Sequence, residues 1–152
     1  MRKRCKRKVY TLSNPISLAI EGACITTDDK LEELLKREAE MVQAIETSAP
    51  DALHAFNGLC EQLGIAETMA KHGIGPEVLD ACKAAQLALI KLKTRYTKWG
   101  KWDITDGERH ALRELREWHH LQRTSVSRGE YERWIKRTAD RMRSRAPDVE
   151  VI

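Results

Sequence analysis

Aromatic residues are scarce in this chain, at 5% of 152 residues with a single phenylalanine, while charged residues reach 33%. That balance, with Ala, Leu, Glu, Lys and Arg prominent, favours helices over pleated strands and predicts no substantial sheet. Long apolar runs are missing as well. None approaches the roughly 20 residues needed to cross a bilayer, so no membrane partner is expected. Met1 leads into basic residues with no apolar signal-peptide core behind them, which predicts a cytoplasmic protein. The four cysteines, Cys5, Cys24, Cys60 and Cys82, form no C-x-x-C pair. Cys60 and Cys82 fall within helical apolar patterns, where a thiol packs as a small hydrophobe, so reduced structural cysteines are expected rather than disulfides.

Signatures of chemistry are absent too. His54, His72, His110, His119 and His120 show neither H-E-x-x-H nor a Cys/His arrangement of zinc spacing. On a helix the adjacent His119 and His120 point about 100° apart and do not easily share a metal. His72 suits the negative end of a helix dipole. No nucleophile elbow, P-loop or G-x-G-x-x-G occurs, and Gly73-Ile74-Gly75 alone is too common to indicate phosphate binding. Glu32, Glu33, Glu38 and Glu40 lie where a solvated helix face would place them. No catalytic residue, metal ligand or cofactor follows from these patterns, and the expectation is a protein that is not an enzyme.

What the chain does have is charge sorted by position. Residues 1–8 carry six bases (Arg2, Lys3, Arg4, Lys6, Arg7 and Lys8) and no acid. Residues 9–82 are net −9 and residues 83–152 net +7, within an overall +4. Opposite-signed helices packed side by side would largely neutralise one another. A bipolar surface that steers a charged partner is the alternative.

The length suits one domain. The expected organisation is a flexible basic N-terminal arm over 1–12, a helical domain over 13–146 and a tail over 147–152. The fold class is all-α, a compact bundle of about five helices. Pro15 opens a short helix through Ile16, Leu18 and Ile20. A second helix follows Thr27, with Leu31, Leu34, Leu35, Met41, Val42 and Ile45 at three- and four-residue spacing. The next starts near Pro50 and turns Leu53, Phe56, Leu59, Cys60 and Leu63 inward. Gly64 either breaks it or admits a close neighbour. From Pro76 to about Tyr96 runs a helix apolar nearly all round, expected to be central. Thr105-x-x-Glu108 spells a capping box and opens a helix burying Ala111, Leu112, Leu115, Trp118 and Leu121. Ser127-x-x-Glu130 repeats the device before a last helix with Tyr131, Trp134, Ile135, Thr138 and Met142 on one face. Arg133, Lys136, Arg137, Arg141 and Arg143 lie on its other face.

Three groups are candidates for binding a partner. The six bases of the arm could neutralise phosphates without sequence specificity, or serve only as a solubilising tail. Lys98, Trp99, Lys101 and Trp102 combine cations with aromatic planes, as stacking on bases or anchoring an interface would need. Both tryptophans could instead close one end of the core, the preferred reading for Trp102 and an even alternative for Trp99. The third group is the basic face of the last helix, with Arg133, Lys136, Arg137 and Arg141 in front.

The stretch from Leu59 to Glu77, Gly100-Lys101-Trp102 before Thr105-Asp106-Gly107-Glu108, and Asn14-Pro15-Ile16 behind a basic opening together resemble small helical proteins encoded by proteobacterial phages, prophages and plasmids. The likeness spans roughly 59–122 plus the start of the chain, and its motifs are short. It implies a mobile-element accessory protein whose partner is a host or phage protein complex, as with inhibitors of bacterial defence such as anti-CRISPR proteins, and it assigns no residue a role. The acidic helix after Thr27 and the basic last helix have no counterpart in the resemblance. The expected function is therefore a non-enzymatic interaction protein. Nucleic-acid binding through the arm, Lys98, Lys101 and the last helix is the alternative.

Overall fold

A computed structural model describes residues 27–144, which form five α-helices and, among these residues, no strand. They are α1 (Asp28–Glu46), α2 (Ala52–Lys71), α3 (Val78–Trp99), α4 (Asp106–Thr124) and α5 (Arg128–Arg143). The basic arm, the short helix expected after Pro15 and the tail over 147–152 lie outside the described residues.

The hub is α2, which packs against all four other helices. This differs from the expectation that α3 would be the covered helix: among the described residues α3 packs mainly on α2 and α4, and its Leu87 stays exposed. The reason is composition. Alanine and glycine are frequent in α2, which carries Ala52, Ala55, Gly64, Ala66 and Ala70 at buried positions and admits neighbours on every side.

Gly64 shows how close that approach is. The helix runs unbroken through it, and a Cβ there would sit 2.2 Å from Met142 Cε and 3.3 Å from Thr138 Cγ2. The glycine therefore makes room for α5. Leu53, expected inside, is instead exposed one residue into α2, where no helix of the described residues covers it.

Trp102 closes the core at the other end of the hub. Its ring stacks on Tyr96 at 4.0 Å and on Phe56 at 5.2 Å. Gly100 lets the chain reach that position by ending α3 with φ 68°, in the left-handed region that glycine enters without a Cβ clash. The capping box at α4 is complete: Glu108 N–H donates to Thr105 Oγ1 at 3.3 Å, and Thr105 N–H donates to Glu108 Oε2 at 3.0 Å. Arg95 ties the same turn to α3 by donating to Asp103 O and to Glu108. Burial pushes the Glu108 carboxyl up, but the Arg95 guanidinium and the Thr105 N–H outweigh it and hold the group below its usual range. At α5 only half of the device forms, with Glu130 N–H donating to Ser127 Oγ at 3.2 Å.

Acidic residues of α1 and α2 meet basic residues of α4 and α5 inside the helical body. Glu38 and Glu46 of α1 pair with Arg123 and Arg109 of α4, and Glu67 of α2 pairs with Arg141 of α5.

Candidate functional site

At the end of α3, Lys98, Trp99 and Lys101 are all exposed, and the Lys98 ammonium sits 4.9 Å from the centre of the Trp99 ring. Trp99 is 58% exposed, whereas Trp102 belongs to the core. On α5, Arg133, Lys136 and Arg137 face solvent and make no ion pair among the described residues. The Arg137 guanidinium lies 5.3 Å from the Trp134 ring, within cation–π range. Trp134 is itself half-buried against His72, 5.2 Å between ring centres. Glu130, Arg133, Trp134 and Arg137 line a shallow groove of about 330 Å³.

Arg141 does not belong to this face. It turns inward, donating to Thr68 Oγ1 at 2.9 Å and to Glu67 Oε2 at 3.1 Å, because the partly buried Glu67 supplies its counter-charge. The two cationic clusters are also separate. Trp102, close to Trp99 in sequence, packs on Phe56, while Trp134 packs on His72 at the other end of the hub. Sixteen residues of helix between those contacts span about 24 Å, so Trp99 and Trp134 do not form one patch.

Beneath α5 lies a directed chain of buried hydrogen bonds that the residue pattern did not announce. Gln122 Nε2 donates to Ala66 O at 3.2 Å and to Ile74 O at 2.8 Å, which leaves Gln122 Oε1 to accept. His119 Nδ1 therefore carries the ring proton and donates to it at 2.8 Å. The lone pair on His119 Nε2 accepts from the Tyr131 hydroxyl at 3.0 Å. Tyr131 Oη accepts from Arg123 Nε at 3.1 Å, and Arg123 Nη2 donates to Glu38 Oε1. Residues of α1, α4 and α5 are joined in this way to the end of α2 and the turn after it. Gly75, with φ 62°, belongs to the same arrangement, since a Cβ there would come within 3.2 Å of Gln122 Cγ.

His119 is fully buried, and its imidazole is pushed down to about 3, first by burial and then by the nearby Arg123 charge. It is a structural hydrogen-bonding group sealed from solvent. Burial also pushes the Cys60 thiol up to about 11 and the Cys82 thiol up to about 12, which removes the thiolate that a nucleophile needs. Among the described residues no three His, Cys, Asp or Glu side chains are placed to hold a metal ion. No helix there is long and apolar enough to cross a membrane.

A cleft of about 290 Å³ opens between α1 and α4 over α2. Glu38 was expected on a solvated face, yet it is 4% exposed and lines this cleft with Gln62, which is 7% exposed. Glu38 Oε2 and Gln62 Nε2 find no hydrogen-bond partner among the described residues. Leaving a buried polar atom unpaired costs roughly 1–3 kcal/mol. Arg109, Arg113 and Arg116 form its α4 wall; Arg109 is held by Glu46 and Asp106, while Arg113 and Arg116 make no ion pair among the described residues.

Compared with known proteins, the chain matches no family model, no curated protein and no solved structure.

Proposed function

We propose that this chain is a non-enzymatic interaction protein of a mobile genetic element, binding an acidic surface of a host or phage protein complex through the outer face of α5. Inhibition of that complex, as in anti-defence proteins, is the expected consequence of binding. The observation that carries the reading is the state of α5: of its sixteen residues only Thr138 is buried, and it presents Arg133, Lys136 and Arg137 beside a half-buried Trp134. A half-buried aromatic ringed by cations that make no ion pair among the described residues is the composition of an interface anchor. The acid–base candidates support the same reading, since the buried His119 and Cys82 and the half-buried Cys60 are occupied with packing.

Nucleic-acid binding is the second reading, favoured by the placement of Arg137 over Trp134. One experiment separates them: affinity capture of the tagged full chain from its host, with and without nuclease, beside Arg133→Glu/Lys136→Glu/Arg137→Glu. A stoichiometric protein partner that survives nuclease and is lost in the triple variant is the expected result. Captured material that vanishes with nuclease replaces the first reading with the second. Retention of the partner by the triple variant removes α5 as the contact.

A further inference from the structure

An acid, Glu130, lines the groove on α5 beside Arg133, Trp134 and Arg137. We propose that Glu130 sets the specificity of this face, admitting a protein segment that carries a basic group beside its acidic ones and turning away a uniform polyanion such as nucleic acid, a step that rests on the contact role proposed for α5.

Two helices of this chain open with a Ser/Thr-x-x-Glu device, and they use the two glutamates differently. Glu108 is buried, accepts from the Thr105 N–H and pairs with Arg95. Glu130 holds the equivalent position behind Ser127, and its backbone N–H makes the matching bond to Ser127 Oγ at 3.2 Å. Its carboxylate does not reach back to complete the box. Only half-buried, it makes no hydrogen bond or ion pair among the described residues and lines the groove instead. A carboxylate that forgoes the cap contact its position offers is available to a partner.

Spacing fixes the order of charge along the groove. Glu130, Arg133, Trp134 and Arg137 stand at i, i+3, i+4 and i+7 and so share one face of the helix. Along the axis Trp134 is one turn from Glu130, about 6 Å, and Arg137 about 10 Å. Neither arginine makes an ion pair among the described residues, so neither neutralises Glu130. Arg133 lies closer to it than the Debye length of about 8 Å at physiological salt, so an anion held by Arg133 also feels the Glu130 charge. A phosphate backbone laid along α5 continues past the arginines and meets Glu130 with like charge. A protein segment with acids opposite Arg133 and Arg137 and a lysine or arginine opposite Glu130 satisfies all three. Like-charge juxtaposition of this kind is how interfaces reject wrong partners.

Anisotropy titration of the full chain with a fluorescein-labelled DNA duplex of about 20 base pairs tests the rejection of polyanions. Glu130→Lys should tighten duplex binding by about two- to fivefold, the worth of an exposed charge contact, and steepen the salt slope by about 0.9. Glu61→Lys, the same charge change at an exposed position on α2, should leave the affinity nearly unchanged. Affinity capture tests the selection of the protein segment: Glu130→Lys should lose the nuclease-resistant partner that the native chain retains, while Glu130→Asp keeps it. A role confined to the helix dipole would lower the melting temperature of Glu130→Lys and leave its duplex binding as it was. The proposal is overturned by that result, by an equal gain in Glu61→Lys, or by full capture with Glu130→Lys where Arg133→Glu/Lys136→Glu/Arg137→Glu has lost the partner. Retention of the partner by the triple variant overturns the α5 reading itself, so the two failures are told apart.

Discussion

Acidification should loosen this fold in large part through His119. Its imidazole titrates at about 3 in the folded chain, against an ordinary value of 6.5. Below pH 6.5 the unfolded chain takes up a proton at this position and the folded chain does not. Stability therefore falls as the pH drops from 6.5 towards 3, by about 1.4 kcal/mol per unit, and the penalty is absent at neutral pH and above. At about pH 4.5 the loss reaches roughly 2.7 kcal/mol. His119→Gln isolates it: glutamine keeps an N–H for Gln122 and a carbonyl for the Tyr131 hydroxyl but does not titrate. Urea unfolding followed by far-ultraviolet circular dichroism, for both proteins at about pH 7.5 and pH 4.5, gives four stabilities. All other titrating groups are common to both proteins, so the difference between the two pH effects reports His119. A smaller acid loss in the variant, by about 2–3 kcal/mol, is expected. Equal losses would refute the buried neutral imidazole and the hydrogen-bond direction assigned to it.

Three further expectations follow from packing and capping. Gly64→Ala should be nearly neutral by thermal unfolding: the Met142 methyl can swing into solvent, and a helix gain of about 1 kcal/mol offsets the crowding of Thr138. Gly64→Leu should instead cost about 1–3 kcal/mol by levering α5 off the hub, and an unchanged melting temperature would contradict the close approach. Thr105→Ala removes half of the capping box and should cost about 1 kcal/mol in urea unfolding. Iodoacetamide labelling at mildly alkaline pH, read by peptide mapping, should leave Cys60 and Cys82 unmodified until the protein is denatured, since burial holds both thiols protonated; prompt native labelling of either would show the core to be open there.

Helices were legible where their signals are local. The Thr105/Glu108 capping box and the stripe Phe56, Leu59, Leu63 depend on residues within one or two turns, and both stand as read. Interior polar groups were not legible, because their partners are remote: Arg123 meets Glu38 across 85 positions, and Gln122 meets Ala66 across 56. Polarity alone places such residues outward. Spacing held a usable signal nonetheless. Leu31, Leu35, Glu38, Val42 and Ile45 step by four and three, and so do Leu112, Leu115, His119 and Gln122. Glu38, His119 and Gln122 thus lie on the core-facing stripe, while Leu121, expected inside, lies off it and is 57% exposed. Of the candidate surfaces, the tryptophans separated as their neighbours dictate, Trp102 onto Tyr96 and Trp99 into solvent. Arg141 left the basic face because Glu67 and Thr68 draw it inward.

The seating of α5 has a consequence for how sequence change is tolerated. Among the described residues its contacts with the other helices run through side chains on one side, Tyr131, Trp134, Thr138, Arg141 and Met142 among them. Positions 133, 136 and 137 are exposed and make no ion pair among the described residues, so they can drift or be randomised while the other four helices keep their packing. A lineage could exchange one recognition face for another here without refolding its core, and a designer could use the same three positions as a graft site on a scaffold that stays unchanged.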